Sequence, residues 1–315
     1  MSQEQNDVVF VYGALRSGTT VFRLMLNAHP GISNPGEMDF LFDYISQDPT
    51  HPTGWRYDIQ GLKDNRIFQA KTLDIPDNTL GLDLLAHFLD QLRQRAPGKI
   101  LSINLHRHVD RLVATLPTAR IIHMLRDPRD VARSSIAMGW ASTLYHGVGH
   151  WIGTETSWEE TVANVDQDRI LQLTYEGLFQ ETESTLVNVC AFMGIPYDPA
   201  MLQYHENTTY APPDPKLIEQ WRRKCSEKEL IEMESRAAFM MEKRGYALAY
   251  PRQDLNILHR LQLAVTNKIG VWAFGMRRFG ITTYWAEKFT RWTGLSAPHR
   301  LIKRHMDRIV IQSLK

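Results

Sequence analysis

The sequence predicts an α/β protein with a central, mainly parallel sheet and a helical C-terminal extension. Short apolar runs alternate with helical patterns, which implies βαβ units. The first run, Val8-Val9-Phe10-Val11-Tyr12, leads straight into the glycine-spaced turn Gly13-Ala14-Leu15-Arg16-Ser17-Gly18-Thr19-Thr20. A continuous apolar run of this kind is the pattern of a strand buried on both faces. Beyond residue 250 the composition turns basic and aromatic, which marks off the extension.

In chain order, residues 19–27 form the helix that opens at the turn, and Asn34-Pro35-Gly36 is turn punctuation. A helix is expected over 38–45, and the Asp-, Pro- and Asn-rich stretch 46–79 reads as loops around short elements. Residues 80–95 fit an amphipathic helix with Leu82, Leu85, Ala86 and Leu89 on its apolar face, ended by Pro97-Gly98. Then come a strand over 100–103, a helix over 109–116, a strand over 121–125 and a helix beginning at 130. A helix over 158–166, a strand over 170–174 and a helix over 183–193 continue the alternation. Residues 207–224 are polar and proline-bearing, and a helix over 226–244 stops at Gly245. In open parallel sheets ligands sit beyond the carboxyl ends of the strands. Both Arg16–Thr20 and Arg126 fall there.

The turn has the glycine spacing of the nucleotide P-loop, G-x-x-x-x-G-K-[ST], yet Thr19 stands in the lysine position and Arg16 lies inside the loop. Backbone N–H groups at a helix N-terminus, aided by the helix dipole, bind an anionic group. Arg16 adds a forked donor suited to a phosphate or sulfonate. A P-loop kinase would need the missing Lys and a magnesium-holding Asp at a strand end. The strand ending at Leu125 delivers Arg126 instead.

Two further stretches matter. Met124-Leu125-Arg126-Asp127-Pro128-Arg129-Asp130-Val131-Ala132-Arg133-Ser134 follows a strand, and Leu173-Thr174-Tyr175-Glu176-Gly177-Leu178 precedes Cys190-Ala191-Phe192-Met193-Gly194-Ile195-Pro196-Tyr197. With Arg16-Ser17-Gly18-Thr19-Thr20, these resemble the PAPS-dependent sulfotransferases (PAPS being 3′-phosphoadenosine-5′-phosphosulfate), particularly bacterial members and the tyrosylprotein and carbohydrate branches. The resemblance spans residues 8 to 250. It implies a P-loop NTPase-like three-layer sandwich over 1–250, with 251–315 as the extension. By position, Arg16, Ser17, Gly18, Thr19 and Thr20 would hold the 5′-phosphosulfate and Arg126 and Ser134 the 3′-phosphate. Tyr175 would line the nucleotide site, and 207–224 would fold over it. The product would be adenosine 3′,5′-bisphosphate, and the chemistry requires no metal.

Sulfuryl transfer to a hydroxyl-bearing acceptor needs a group that removes the hydroxyl proton. Pro35-Gly36-Glu37 is similar to the context in which carbohydrate and tyrosylprotein relatives place a Glu, so Glu37 is the expected general base. Asp39 is the reserve and His106 the alternative. A Glu in the first turn of a helix is also favourable for the macrodipole alone. Asn104 stands where some relatives use a Lys to stabilise the transferring group, so the cation is either Arg16 alone or Lys71 from another loop. Met138 replaces a further Arg of the tyrosylprotein branch.

Other features read more plainly. Asp130 suits a solvated helix start. His146 and His150 have the spacing of a zinc helix, but two glycines lie between them and the protease Glu is absent. Trp140, Tyr145 and Trp151 either pack a core or line an acceptor pocket. Two cysteines form no disulfide framework, residues 1–7 are polar and acidic, and no apolar stretch reaches the ~18 to 20 residues of a membrane span. These point to the cytoplasm, with attachment to the inner face of a membrane as one option.

The net charge of +1 hides an asymmetry: residues 255–315 carry 11 Lys and Arg against 2 Asp and Glu, a net +9, and the first 254 a net −8. Leu258, Leu261, Val265 and Ile269 suit a helix face. The extension is read as packing on the acidic body, as attaching to anionic lipid, or as a subunit contact. No nucleic-acid module is recognisable. The competing functional reading is a catalytically inactive nucleotide-binding protein tethered by this extension.

Overall fold

The computed structural model describes residues 8–163 and 165–313, so the acidic lead-in over 1–7 lies outside it. Two compact units make up the chain. The first holds residues up to 131, 150–224 and 243–246, and the second 132–149, 225–242 and everything from 247 on.

The first unit contains strands β1 (Val8–Tyr12), β2 (Ile32–Ser33), β3 (Ile45–Gln47), β4 (Trp55–Tyr57), β5 (Ile100–Leu105), β6 (Arg120–Leu125) and β7 (Ile170–Thr174). Five of them form a parallel sheet in the order β2-β5-β1-β6-β7, with β1 in the middle. Every residue of β1 is buried. The period-two alternation of a strand sends Phe10 and Tyr12 to one face, in a cluster with Phe42, Phe88 and Trp158. Val9 and Val11 face the other way, in a cluster with Phe22, Met25 and Leu178 from the covering helices. Helices thus cover both faces of the sheet, which makes the sandwich three-layered.

Several expected elements shift for local reasons. The helix expected over 38–45 shortens to Phe40–Asp43 because Ile45 pairs with Tyr57 in the antiparallel hairpin β3–β4. The stretch 46–79 also carries two short helices, Ile59–Asp64 and Arg66–Lys71, capped by the side chains of Asp58 and Asn65. The helix placed at 158–166 runs instead over Gly149–Val162. Trp151, Glu155 and Trp158 form its buried face, and that burial outweighs the weak propensity of its glycines. The helix expected from residue 130 starts at Pro128, where a proline's fixed φ suits a first turn.

In the second unit the helix Glu227–Lys243 contributes all but its last residue, and Ile257–Phe279, Ile281–Trp292 and Ser296–Ser313 follow. Helices Ile257–Phe279 and Ile281–Trp292 meet where Tyr284 packs on Gly275. A Cβ there would come within 2.2 Å of the Tyr284 ring. Among the described residues no helix is long and apolar enough to cross a membrane.

Phe10→Ala should cost about 3 to 5 kcal/mol, since it empties the centre of one fully buried cluster. The shift of the urea unfolding midpoint measures it.

Candidate active site

β1 leads to β2 on one side of the sheet, and β6 leads to β7 on the other. The ends of β1 and β6 therefore flank the point where the winding reverses, the usual crevice for a ligand. The turn after β1 is held from both sides, with Gly13 N donating to Leu105 O at 3.3 Å and Ser17 N to Ala14 O at 3.1 Å. Arg16 adopts φ +73° and Gly18 φ +89°, a left-handed pairing that turns successive N–H groups the same way. The helix Thr19–Ala28 starts at Gly18 with no side-chain cap and no acidic residue in its first turn. Its positive end is left for an anion.

Arg126, at the end of β6, reaches this turn. Its Nη1 donates to the Arg16 carbonyl at 3.1 Å, and its guanidinium carbon lies 3.9 Å from the centre of the Tyr175 ring. Tyr175 follows β7 and packs so closely on the turn that a Cβ on Gly18 would stand 2.2 Å from its ring. Gly18 is thus required twice, by its φ and by this contact. Ser17 Oγ and Arg126 Nε are buried without a hydrogen-bond partner among the described residues. Ser134 lies further along the helix Pro128–Ala137, in the part belonging to the second unit.

Glu37 comes to the same neighbourhood by backbone pairing. It forms a parallel bridge with Asn104 at the end of β5, flanked by Asn104 N donating to Gly36 O and Met38 N to Asn104 O. The buried Asn104 side chain donates to Thr19 O at 3.0 Å and accepts from Asn34 at 3.0 Å, while Asn34 Oδ1 accepts from Gly36 N at 2.9 Å. Asn104 is a hydrogen-bond pin. It ties the helix start to the segment bearing Glu37.

His106 closes the arrangement. Its Nδ1 donates to the Gly13 carbonyl at 2.8 Å, and its Nε2 stands 3.5 Å from Glu37 Oε1. Nδ1 therefore donates to a carbonyl, while Nε2 makes no hydrogen bond and faces the carboxylate as an ion-pair partner when the ring is protonated. The contact with His106 is the main reason the Glu37 carboxyl is held below its usual range, with Arg23 and Arg107 adding to it against partial burial. For His106 burial works downward, but Glu37, Asp39 and the Gly13 carbonyl outweigh it and raise the imidazole. Asp39 is engaged elsewhere: its Oδ1 accepts the backbone N–H of His106 at 2.7 Å, and burial raises its carboxyl.

Lys71 donates to the Pro35 carbonyl. A Cβ on Gly36 would lie 3.5 Å from Arg23 Nη1 and 3.9 Å from Lys71 Nζ, so two cations flank the segment of Glu37. Burial, then Arg23 and Arg95, hold Lys71 below its usual value. Beside His106 opens a cavity of about 390 Å³, lined also by Tyr12, Leu15, His108, His150 and Ser157.

A family model described as "Sulfotransferase family" matches residues 8–199, more than half of the chain. The chain belongs to the sulfotransferase family. This sulfotransferase chain is 25% identical over 208 residues to a "Putative protein-tyrosine sulfotransferase" of Caenorhabditis briggsae, covering 63% of the chain and 69% of that relative. It is 24% identical over 216 residues to an uncharacterised protein of Aquifex aeolicus, again over 63% of the chain but only 27% of that relative's length. The solved "Sulfotransferase Domain from the Synechococcus PCC 7002 Olefin Synthase" superposes with a TM-score of 0.59 at 22% identity, over 76% of this chain and 95% of that one. That likeness is one of fold.

Three residues of this sulfotransferase have contacts that their local sequence does not announce. Arg23 follows Thr19 by one helical turn, and that period was the available signal. Asn34 was read only as turn punctuation. His150, met as half of a zinc spacing, bonds instead to the Leu15 carbonyl at 3.0 Å. Among the described residues no group of three or more His, Cys, Asp and Glu is placed to hold a metal. Asp130 also differs from expectation. It is buried and accepts the backbone N–H groups of Gln220 and Trp221 at 3.2 and 2.9 Å, so it anchors the end of the 207–224 segment. Trp151 is fully buried, which resolves its role as core packing, and Trp140 is exposed.

The Glu37–His106 pair gives a pH signature. Glu37, whose folded value is depressed, contributes stability above its ordinary 4.5 that is lost as pH falls through the lower folded value. His106, whose folded value is raised, contributes fully below its ordinary 6.5 and loses that contribution as pH rises through the higher folded value. The stability lost on Glu37→Gln should therefore be larger near pH ~6 than near pH ~9, as read from urea midpoints at both. Equal losses would exclude the ion pair.

Proposed function

We propose that this chain is an enzyme that moves a sulfuryl group from PAPS to a hydroxyl of a small-molecule, carbohydrate or lipid acceptor, leaving adenosine 3′,5′-bisphosphate. The observation that carries this reading is the 3.1 Å bond from Arg126 Nη1 to the Arg16 carbonyl, which joins the two motifs at one crevice. The unpartnered Ser17 Oγ and Arg126 Nε suit the anionic groups at the two ends of such a nucleotide. PAPS supplies the activated sulfuryl group, and the chain supplies everything else.

The N–H groups of Ser17 to Thr20 and the helix dipole grip the phosphosulfate, with the Arg16 guanidinium beside them. They offset charge that develops on the leaving oxygen. Arg126 takes the 3′-phosphate, with Ser134 its expected partner from the sequence motif. Glu37, kept as a carboxylate by His106, accepts the acceptor's hydroxyl proton as the new S–O bond forms and the bond to the leaving phosphate breaks. His106 fixes the carboxylate's position against the Gly13 carbonyl. The cavity beside His106 is the proposed acceptor site.

Glu37→Gln should abolish transfer of label from PAPS to acceptor and leave the affinity for adenosine 3′,5′-bisphosphate near that of the wild type. Substantial retained turnover would remove Glu37 as the base. Arg126→Ala should weaken that affinity by about 1.5 to 3 kcal/mol, the worth of a charged hydrogen bond, or roughly 10- to 150-fold. Titration calorimetry reads it, and an unchanged constant would contradict the role given to Arg126.

A further inference from the structure

In the second unit the helix Ile257–Phe279 carries, after the exposed Ile257 at its start, four exposed apolar residues along one face: Leu258 (74% exposed), Leu261 (56%), Val265 (59%) and Ile269 (58%). Their spacing of three, four and four residues continues to Trp272. At 100° per residue all five fall within an arc of about 80°. The helix Ile281–Trp292 carries a second stripe, Ile281 (66%), Trp285 (42%), Phe289 (58%) and Trp292 (84%), again within an arc of about 80°. The stripes join where the rings of Trp272 and Trp285 meet edge to face, 5.4 Å between centres. The result is one continuous apolar surface over two helices, too large to be a scatter of single residues.

The exposed charged residues of the two helices, Arg260, Lys268, Arg277 and Arg291, are of one sign. Lys268 borders the first stripe with its Nζ 5.1 Å from the centre of the Trp272 ring, and Lys288 borders the second, 5.2 Å from that of Tyr284. From residue 255 on there are only two acidic residues, Glu287 and Asp307. Glu287 is buried and paired with Lys288 and Arg291 at 3.3 and 3.6 Å. A segment of net +9 thus presents Leu, Val, Ile, Phe and Trp outward with cations alongside.

We propose that the helices Ile257–Phe279 and Ile281–Trp292 are a docking surface for an anionic lipid bilayer. They lie in its interface with the two stripes immersed and the cations at headgroup level. Charge complementarity selects this occupant: the two helices carry six Lys and Arg against one Glu, so a second copy meeting the same stripes would bring like charges together, whereas an anionic leaflet neutralises them. Tryptophan at the edge of the surface, above all Trp292, suits the zone between headgroups and acyl chains. Neither helix is apolar enough to span, so the attachment is peripheral. This inference is independent of the reaction proposed above.

The test is cosedimentation of the full chain with phosphatidylcholine vesicles, with and without phosphatidylserine. Binding should require phosphatidylserine, weaken as salt is raised, and shift tryptophan emission to the blue. Leu261→Glu with Ile269→Glu, both at exposed positions where Glu suits a helix, should abolish binding. Circular dichroism and affinity for adenosine 3′,5′-bisphosphate should stay unchanged. Lys268→Gln alone should weaken binding roughly five-fold. No binding to phosphatidylserine vesicles, binding without regard to phosphatidylserine, or a sedimentation-velocity dimer lost in the Leu261/Ile269 variant would each overturn the proposal.

Discussion

The contact that draws the first unit's separated motifs together is the Arg126 side chain laid between the glycine turn and the Tyr175 ring. One guanidinium bonds the Arg16 carbonyl and rests on an aromatic face. That aromatic leaves no room for a side chain at Gly18. This stack joins the ends of β1, β6 and β7, whose register the backbone ladders set. The turn can then keep its left-handed residues and its N–H groups aimed one way. A positive charge held beside the positive end of a helix is tolerable in a folded chain where it serves to attract an anion.

A second polar layer holds the backbone segment that bears Glu37. Asn104 and Asn34 pass a chain of hydrogen bonds from Thr19 to Gly36, and Glu37 follows in a parallel bridge at the end of β5. Buried amides make directional contacts that an apolar residue could not, and leaving any of them unpaired would be costly. His106, bonded to Gly13, stands 3.5 Å from Glu37 and is the main group that lowers its carboxyl. Asn104 is part of the scaffold, and the cations near the segment of Glu37 come from Arg23 and Lys71 on other elements.

The second unit follows a different logic. Its contacts are helix on helix, with Tyr284 seated on Gly275 and Trp272 against Trp285. Its outward stripes are apolar where a helical surface in water would be polar. The opposite charges of the two parts of the chain, −8 and +9, keep the sum near zero while giving the extension a field of its own.

The sequence by itself determined the parallel α/β architecture, because continuous apolar runs and 3.6-residue patterns are local and each names its element. It also determined the family, through motifs whose residues lie close along the chain: Arg16 to Thr20, Arg126 to Ser134, and Tyr175. Only the tertiary structure decided what those residues touch. That Asn104 pins Thr19, that His106 binds Gly13 and faces Glu37, and that Asp130 is buried under Trp221 rather than solvated are relations between residues up to about ninety positions apart. Such pairings are set by strand order and register. No local pattern encodes them, because a hydrogen bond between distant segments leaves no periodicity in either one.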